Sequence, residues 1–270
     1  MNDVMASDFT AADLPTLDPP GTIVVIGTTP VGIEAALYGR YLGYNVTLVA
    51  GVDAWAFTAD IKHPRIGPTF DRDWFARHWL GDQSIASRWD DAMPMLPDQS
   101  LSPLAIEAIM AQREDAALVL PITMRQWIED GLQSVLETDL LRGRCFANTF
   151  VDSIELVGVT DEDDDEIGDA PQAEEDDSDI PPDFLLTLSG EAIGENTSRQ
   201  LQCECVIVAD LPLESLRLDF ELPADYFYRI ESTGQTEAAD ELRAGWRKIA
   251  EIYSQLAGRA ELDLYRPRRL

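Results

Sequence analysis

At 270 residues, 45% of them apolar, the chain can furnish one large domain with a real core. Its 50 Asp and Glu against 20 Lys and Arg give a formal net charge of −30. That field repels nucleic-acid phosphates and anionic lipid headgroups, so neither is an expected partner. About a dozen of the acids fall between Asp161 and Asp179, where there is no Lys or Arg, and the remainder stays near −18. General acidity of this kind speaks to solubility rather than to fold.

Residues 1–20 are acidic, with neither a basic start nor an apolar run, so no secretory signal is expected there. They read as a flexible tail ahead of a single domain over 21–270. No run of about eighteen apolar residues suggests a membrane span. Cys145, Cys203 and Cys205 are odd in number and lack CxxC spacing, which points to reduced thiols in a cytoplasmic protein. Cys203 and Cys205 alternate onto one face of a strand, where packing is their expected role.

Taken in chain order, Thr22 to Ile26 is a continuous β-branched run, the pattern of a strand buried on both faces. Apolar residues at Ile33, Ala36, Leu37, Tyr41 and Leu42 then follow helical spacing from Val31 to Leu42, and Gly43 stops that helix. Val46 to Val49 is the next strand, expected parallel to the first. Residues 51–145 read as a helical and irregular insertion with aromatic anchors at Trp55, Phe57, Phe70, Trp74, Phe75, Trp79 and Trp89. Short helices are expected at Pro103 to Gln112 and Met124 to Leu136. Strand-like Phe146 to Leu156 and Phe184 to Leu188 flank the acidic run, predicting a β-meander with a solvated loop over 160–183 that would be exposed to a protein partner. Val206 to Ala209 is a further buried strand, and Glu237 to Ala257 an amphipathic helix capped by Gly258.

One turn carries chemistry. The dinucleotide fingerprint G-x-G-x-x-G follows a strand and opens a helix; its glycines serve the turn, the approach of the pyrophosphate, and helix–strand packing. Here the six positions are Gly27, Thr28, Thr29, Pro30, Val31 and Gly32. Thr29 replaces the second glycine, so its methyl fills space at the helix N-terminus while its hydroxyl could instead bond a phosphate, a contribution of about 0.5–1.5 kcal/mol. An acidic residue should end the second strand and accept from the ribose hydroxyls. Ala50 stands there, with Asp53 three residues on as a substitute. Two readings stay open: a dinucleotide still held, or a scaffold that holds none.

Other chemistry finds little support. Asp161, Asp163 and Asp165 alternate like the start of a calcium loop, but Gly168 is misplaced and no Glu closes it. Two histidines, His63 and His78, are too few for a typical zinc site. Lys62-His63-Pro64-Arg65 reads as a surface loop, and neither a Walker A sequence nor a G-x-S-x-G elbow occurs.

The run Ile26 to Leu37, followed by Leu42-Gly43-Tyr44-Asn45-Val46-Thr47-Leu48, resembles the FAD-binding start of flavoprotein oxidoreductases, G-x-G-P-x-G-[LI]-E-A-A and then L-G-x-x-V-T-L-x-E. Cys205 to Asp210 is similar to a late strand of that family, with Leu211 where its glycine belongs. Tyr226 to Ile230 and the helix after it resemble the closing strand and flavin-side helix. The resemblance is specific only over Gly27 to Val49. It implies an α/β, Rossmann-like FAD/NAD(P)-binding fold with a parallel central sheet and a β-meander. It further implies the adenosine diphosphate of FAD on Gly27 to Gly32, and the ribityl–flavin half near Asp210 and Gly234. There is no second glycine fingerprint for NAD(P)H and no redox CxxC. The expectations are therefore an FAD-binding oxidoreductase-like protein or, as the rival, a catalytically silent interaction module; an NAD(P)-binding protein without flavin comes third.

Overall fold

The computed structural model describes residues 16–49, 92–93, 95–113, 117–146, 149–157, 183–190, 199–209, 211, 213, 216–231, 233 and 237–266. The chain opens on strand β1 (Thr22–Ile26), helix α1 (Pro30–Tyr41) and strand β2 (Asn45–Val49). β1 is TIVVI and is buried from Ile23 onward. Stiff branched side chains of that kind suit a strand covered on both faces. α1 carries apolar residues on every side, and every residue from Pro30 to Gly39, Glu34 included, is buried, as in a helix enclosed by other elements. Gly43, at φ +95°, ends it: the Gly43 N–H donates to the Arg40 carbonyl.

Helix α2 (Pro103–Ala111) is capped by Ser102, whose hydroxyl accepts from the Ala105 N–H. Met124–Gln126, a π-type stretch Trp127–Leu132 and Gln133–Leu136 run on as α3. Trp127 is fully buried there, its indole N–H donating to the Ser100 carbonyl at 2.8 Å. The strands that follow are β3 (Cys145–Phe146), β4 (Thr149–Val157), β5 (Asp183–Gly190), β6 (Arg199–Cys203), β7 (Cys205–Ala209), β8 (Arg217–Leu218) and β9 (Phe227–Ile230), before helix α4 (Ala238–Leu256).

Two sheets result. The first has five strands in the order β3-β2-β1-β7-β9, every neighbouring pair parallel. The second, β6-β5-β4-β8, contains the expected meander: β4, β5 and β6 pair antiparallel, and β8 joins parallel to β4. A parallel sheet whose order runs outward in both directions from β1, with α1 crossing between β1 and β2, is a Rossmann-like α/β fold.

Three local expectations need revision. Phe146 to Leu156 is not one strand. Cys145–Phe146 belongs to the parallel sheet and Thr149–Val157 to the meander, a division that hydrophobic pattern alone does not mark. Cys203 and Cys205 likewise do not share a strand face, because the chain changes sheet at Glu204. The Glu204 carboxylate accepts from the Thr22 N–H and hydroxyl at 2.6 and 2.9 Å, and this pins the change of sheet to the start of β1. The tail expected to be loose through residue 20 is attached from Thr16 on. Leu17 is buried, its N–H donates to the Leu256 carbonyl, and its carbonyl accepts from the Tyr44 hydroxyl.

Both cysteines remain packing groups nonetheless. Burial pushes the thiols of Cys145 and Cys203 up to about 12 and that of Cys205 well above the ordinary value, which disfavours the reactive thiolate at all three. α4 closes the fold against α1. Its buried line of Leu242, Ile249, Tyr253 and Leu256 faces inward, and a side chain at Gly245 would stand 2.7 Å from Val31.

Candidate functional site

The order of the parallel sheet reverses at β1, with β2 on one side and β7 on the other. In open α/β sheets a ligand lies beyond the carboxyl ends of the strands at such a reversal. The turn Gly27–Gly32 is at that place. Gly27 follows the last residue of β1 with φ +115°, a conformation that side-chain-bearing residues rarely adopt. An added Cβ would lie 2.3 Å from the Ala209 carbonyl oxygen at the end of β7. A Cβ on Gly32 would lie 2.0 Å from the Gly27 carbonyl oxygen and 3.3 Å from the Ala209 side chain. The first and third glycines are therefore required by the backbone itself, as the fingerprint demands.

Thr29 behaves differently from a glycine. It is the N-cap of α1 in extended conformation, and its hydroxyl accepts the Gly32 N–H at 3.0 Å. The helix thus satisfies one of its own open donors, worth about 1 kcal/mol, and Pro30 at the first position has no N–H to offer. Its neighbour Thr28 is also fully buried, but the Thr28 hydroxyl has no hydrogen-bond partner. A buried hydroxyl left unpaired costs about 1–3 kcal/mol, which an acceptor such as a phosphate oxygen would recover. Val31 packs beneath α4 and is a core residue.

Of the positions predicted from sequence, the structure brings Gly27, Thr28, Thr29, Pro30, Val31 and Gly32 together at the sheet reversal. Ala50, Asp53, Asp210 and Gly234 lie outside the described residues, as do the insertion aromatics, His63, His78 and the acidic loop. Ala209, which precedes Asp210, ends β7 directly beside the turn. Among the described residues no group of His, Cys, Asp and Glu could hold a metal ion, and no helix is long and apolar enough to cross a membrane.

Sequence reasoning passed over Glu34. It sits five positions after Thr29 on α1 and is buried, one carboxyl oxygen having no partner. Burial pushes its carboxyl from 4.5 up to about 7, against the opposing pull of the Ser102 and Tyr265 hydroxyls. The signal was available: a carboxylate in the middle of the otherwise apolar run Val31 to Leu37.

No protein-family profile and no curated protein matches this sequence. Solved structures do show similarity. The crystal structure of OTEMO in complex with FAD and NADP is 15% identical at a TM-score of 0.35, over 73% of this chain and 26% of that one. S-allyl-L-cysteine S-oxygenase from Allium sativum is 12% identical at a TM-score of 0.38, over 70% of this chain and 36% of that one. Oxidized steroid monooxygenase bound to NADP is 13% identical at a TM-score of 0.34, over 70% and 26%. The chain thus spans between about a quarter and a third of the length of these structures. By its own strand order and its glycine turn, it is a Rossmann-like α/β protein with a five-stranded parallel sheet.

Proposed function

We propose that this chain is a dinucleotide-binding domain of flavoprotein type, which seats the adenosine diphosphate half of FAD on the Gly27–Gly32 turn. The observation that carries the reading is the position of that turn, where the parallel sheet reverses and where Gly27 and Gly32 leave no side chain between β1, β7 and α1. The residues present fit a pyrophosphate. Thr28 supplies a buried hydroxyl without a partner, and α1 points its positive end at the turn. In this reading Asp53 stands in for the acidic residue absent at Ala50, and Asp210 and Gly234 lie toward the ribityl–flavin half. FAD, when bound, supplies the electron chemistry; the protein orients it. Thr28 donates to a phosphate oxygen, Thr29 keeps the Gly32 N–H for itself, and the fully buried turn must be uncovered before a ligand reaches it.

The rival reading, a silent interaction module holding no dinucleotide, is favoured by one specific observation: the Thr29 hydroxyl already occupies the amide of Gly32. The acidic loop of 160–183 would then serve a protein partner. Purified full-length protein separates the two. The first reading expects a flavin absorption spectrum, or binding of added FAD by calorimetry, weakened about 2- to 12-fold by Thr28→Ala, the equivalent of one neutral hydrogen bond. A colourless protein that takes up neither FAD nor ADP would leave the second.

A further inference from the structure

Glu34 and Tyr265 lie on different elements, α1 and the C-terminal segment 259–266, yet they meet in one buried cluster. Glu34 is only 4% exposed, and neither its Oε1 nor the Tyr265 hydroxyl makes a well-formed hydrogen bond. The two groups are near enough for the hydroxyl to act on the carboxyl, at a geometry that stops short of a bond. Beside Glu34 is a cavity of about 10 Å³, bordered by Pro30, Ile33, Ser100, Ser102, Leu242 and Trp246. That is room for one water.

The groups facing Glu34 are few. Its own helix supplies Tyr38 and Tyr41, and the α2 cap supplies Ser102. α3 and α4 contribute Leu132, Val135, Leu242 and Trp246 to the cavity, and α4 lays Asp240, Arg243 and Arg247 along the groove beside Tyr265. The C-terminal segment contributes Tyr265, with Asp263 acting on Tyr38. No Lys, Arg or His among the described residues borders the cavity or acts on this carboxyl. The C-terminal segment is held to α1 by the Leu264 N–H, which donates to the Tyr38 hydroxyl at 3.0 Å, and by the Tyr265 ring, 5.2 Å from Tyr38; the same ring lies 6.0 Å from Trp246 of α4. That segment is, with Ser100–Ser102, one of two walls of the cluster among the described residues that belong to neither a helix nor a strand.

We propose that Glu34 and Tyr265 form a proton-operated latch. The segment 259–266 closes over α1 while Glu34 is protonated, and lifts when Glu34 ionises, admitting water to the first turns of α1. A neutral carboxyl sits among Ile33, Leu132 and Leu242 at modest cost; a carboxylate there meets no cation among the described residues, and the Ser102 and Tyr265 hydroxyls offset only part of its burial. The geometry is supported by the direction of titration, since burial outweighs both hydroxyls and raises Glu34 from 4.5 to about 7. With Glu34 at its ordinary value in the lifted form, the closed-to-lifted ratio falls about tenfold per pH unit between those two limits, and about 300-fold in all. The inference does not depend on what the glycine turn binds.

Hydrogen exchange of the full chain tests it, read on the amides of 259–266 from pH 4.5 to 8.5 and corrected for intrinsic exchange. Protection of the Leu264 amide should fall at least tenfold by pH 7 and level off above it. Amides of α4 should hold their protection. In Glu34→Gln the segment should stay protected at every pH. Flat protection in the wild type, a pH dependence that survives in Glu34→Gln, or a parallel loss throughout α4 would each overturn the latch. Should Glu34→Gln fail to fold, Tyr265→Phe decides. Losing a hydroxyl that favours the carboxylate moves the midpoint upward, whereas a purely structural contact would lower protection at all pH values and leave the midpoint in place.

Discussion

The first two turns of α1 present two polar sites built on opposite principles. At Gly27–Gly32 backbone meets backbone, and added side chains are refused by carbonyl oxygens 2.0 to 2.3 Å away. At Glu34, a turn further on, side chains from α1, the α2 cap and α4 border a void of one-water size, and the Glu34 Oε1 and the Tyr265 hydroxyl are left unsatisfied. The first site admits no side chain at Gly27 or Gly32 and carries no ionisable group. The second is built from replaceable side chains around a carboxyl that burial pushes up from its ordinary value. Rigidity at a turn and responsiveness at a carboxyl thus sit on one helix without sharing a residue.

The contrast can be broken most severely at Gly32. Gly32→Ala places a methyl against the Gly27 carbonyl, and either the turn or the helix must move. A loss of more than about 3 kcal/mol is expected, read as a fall in the urea midpoint, and a near-neutral result would mean that the turn is not close-packed. Next in size is the pH response of Glu34. Because its folded-state value is raised, the folded protein holds this proton more tightly than the unfolded chain. Its contribution is fully present below 4.5 and is lost as pH rises to about 7, a decline of about 3 kcal/mol. Urea titrations from pH 4 to 8 should show this slope in the wild type minus Glu34→Gln, and parallel profiles would refute it.

Two smaller effects sharpen the reading of the turn. Thr28→Val removes the unpaired hydroxyl at constant shape, so the ligand-free protein should gain about 1 kcal/mol while FAD binding weakens. A gain in stability with binding unchanged would remove Thr28 from the phosphate seat. Thr29→Gly should cost only a few tenths of a kcal/mol as a cap and open the room its methyl fills. Calorimetry with FAD should then show tighter binding.

Legibility in the sequence followed the range of the interactions. Thr22–Ile26, the glycine turn, Pro30–Tyr41 and Asn45–Val49 were readable because burial pattern, turn chemistry and helix spacing are local and agree with one another. The meander was readable from two strand-like runs around a tract that cannot bury itself. The partition of Cys145–Phe146 and Thr149–Val157 between two sheets was not, since both stretches look alike and only their partners differ. Glu204 as the point where the chain changes sheet, and Leu17 as part of the core, were likewise hidden, each depending on residues about 180 and 240 positions away.

By itself, then, the sequence determined that this is an α/β protein built on a strand, a glycine turn and a buried helix, because those elements need only their own side chains and backbone to specify them. The tertiary structure alone decided that the turn lies against the end of β7, that Thr29 spends its hydroxyl on its own helix, and that Glu34 meets Tyr265 across more than two hundred residues. Those outcomes turn on which distant groups share a low-dielectric interior, where a missing partner or an unpaired charge costs most.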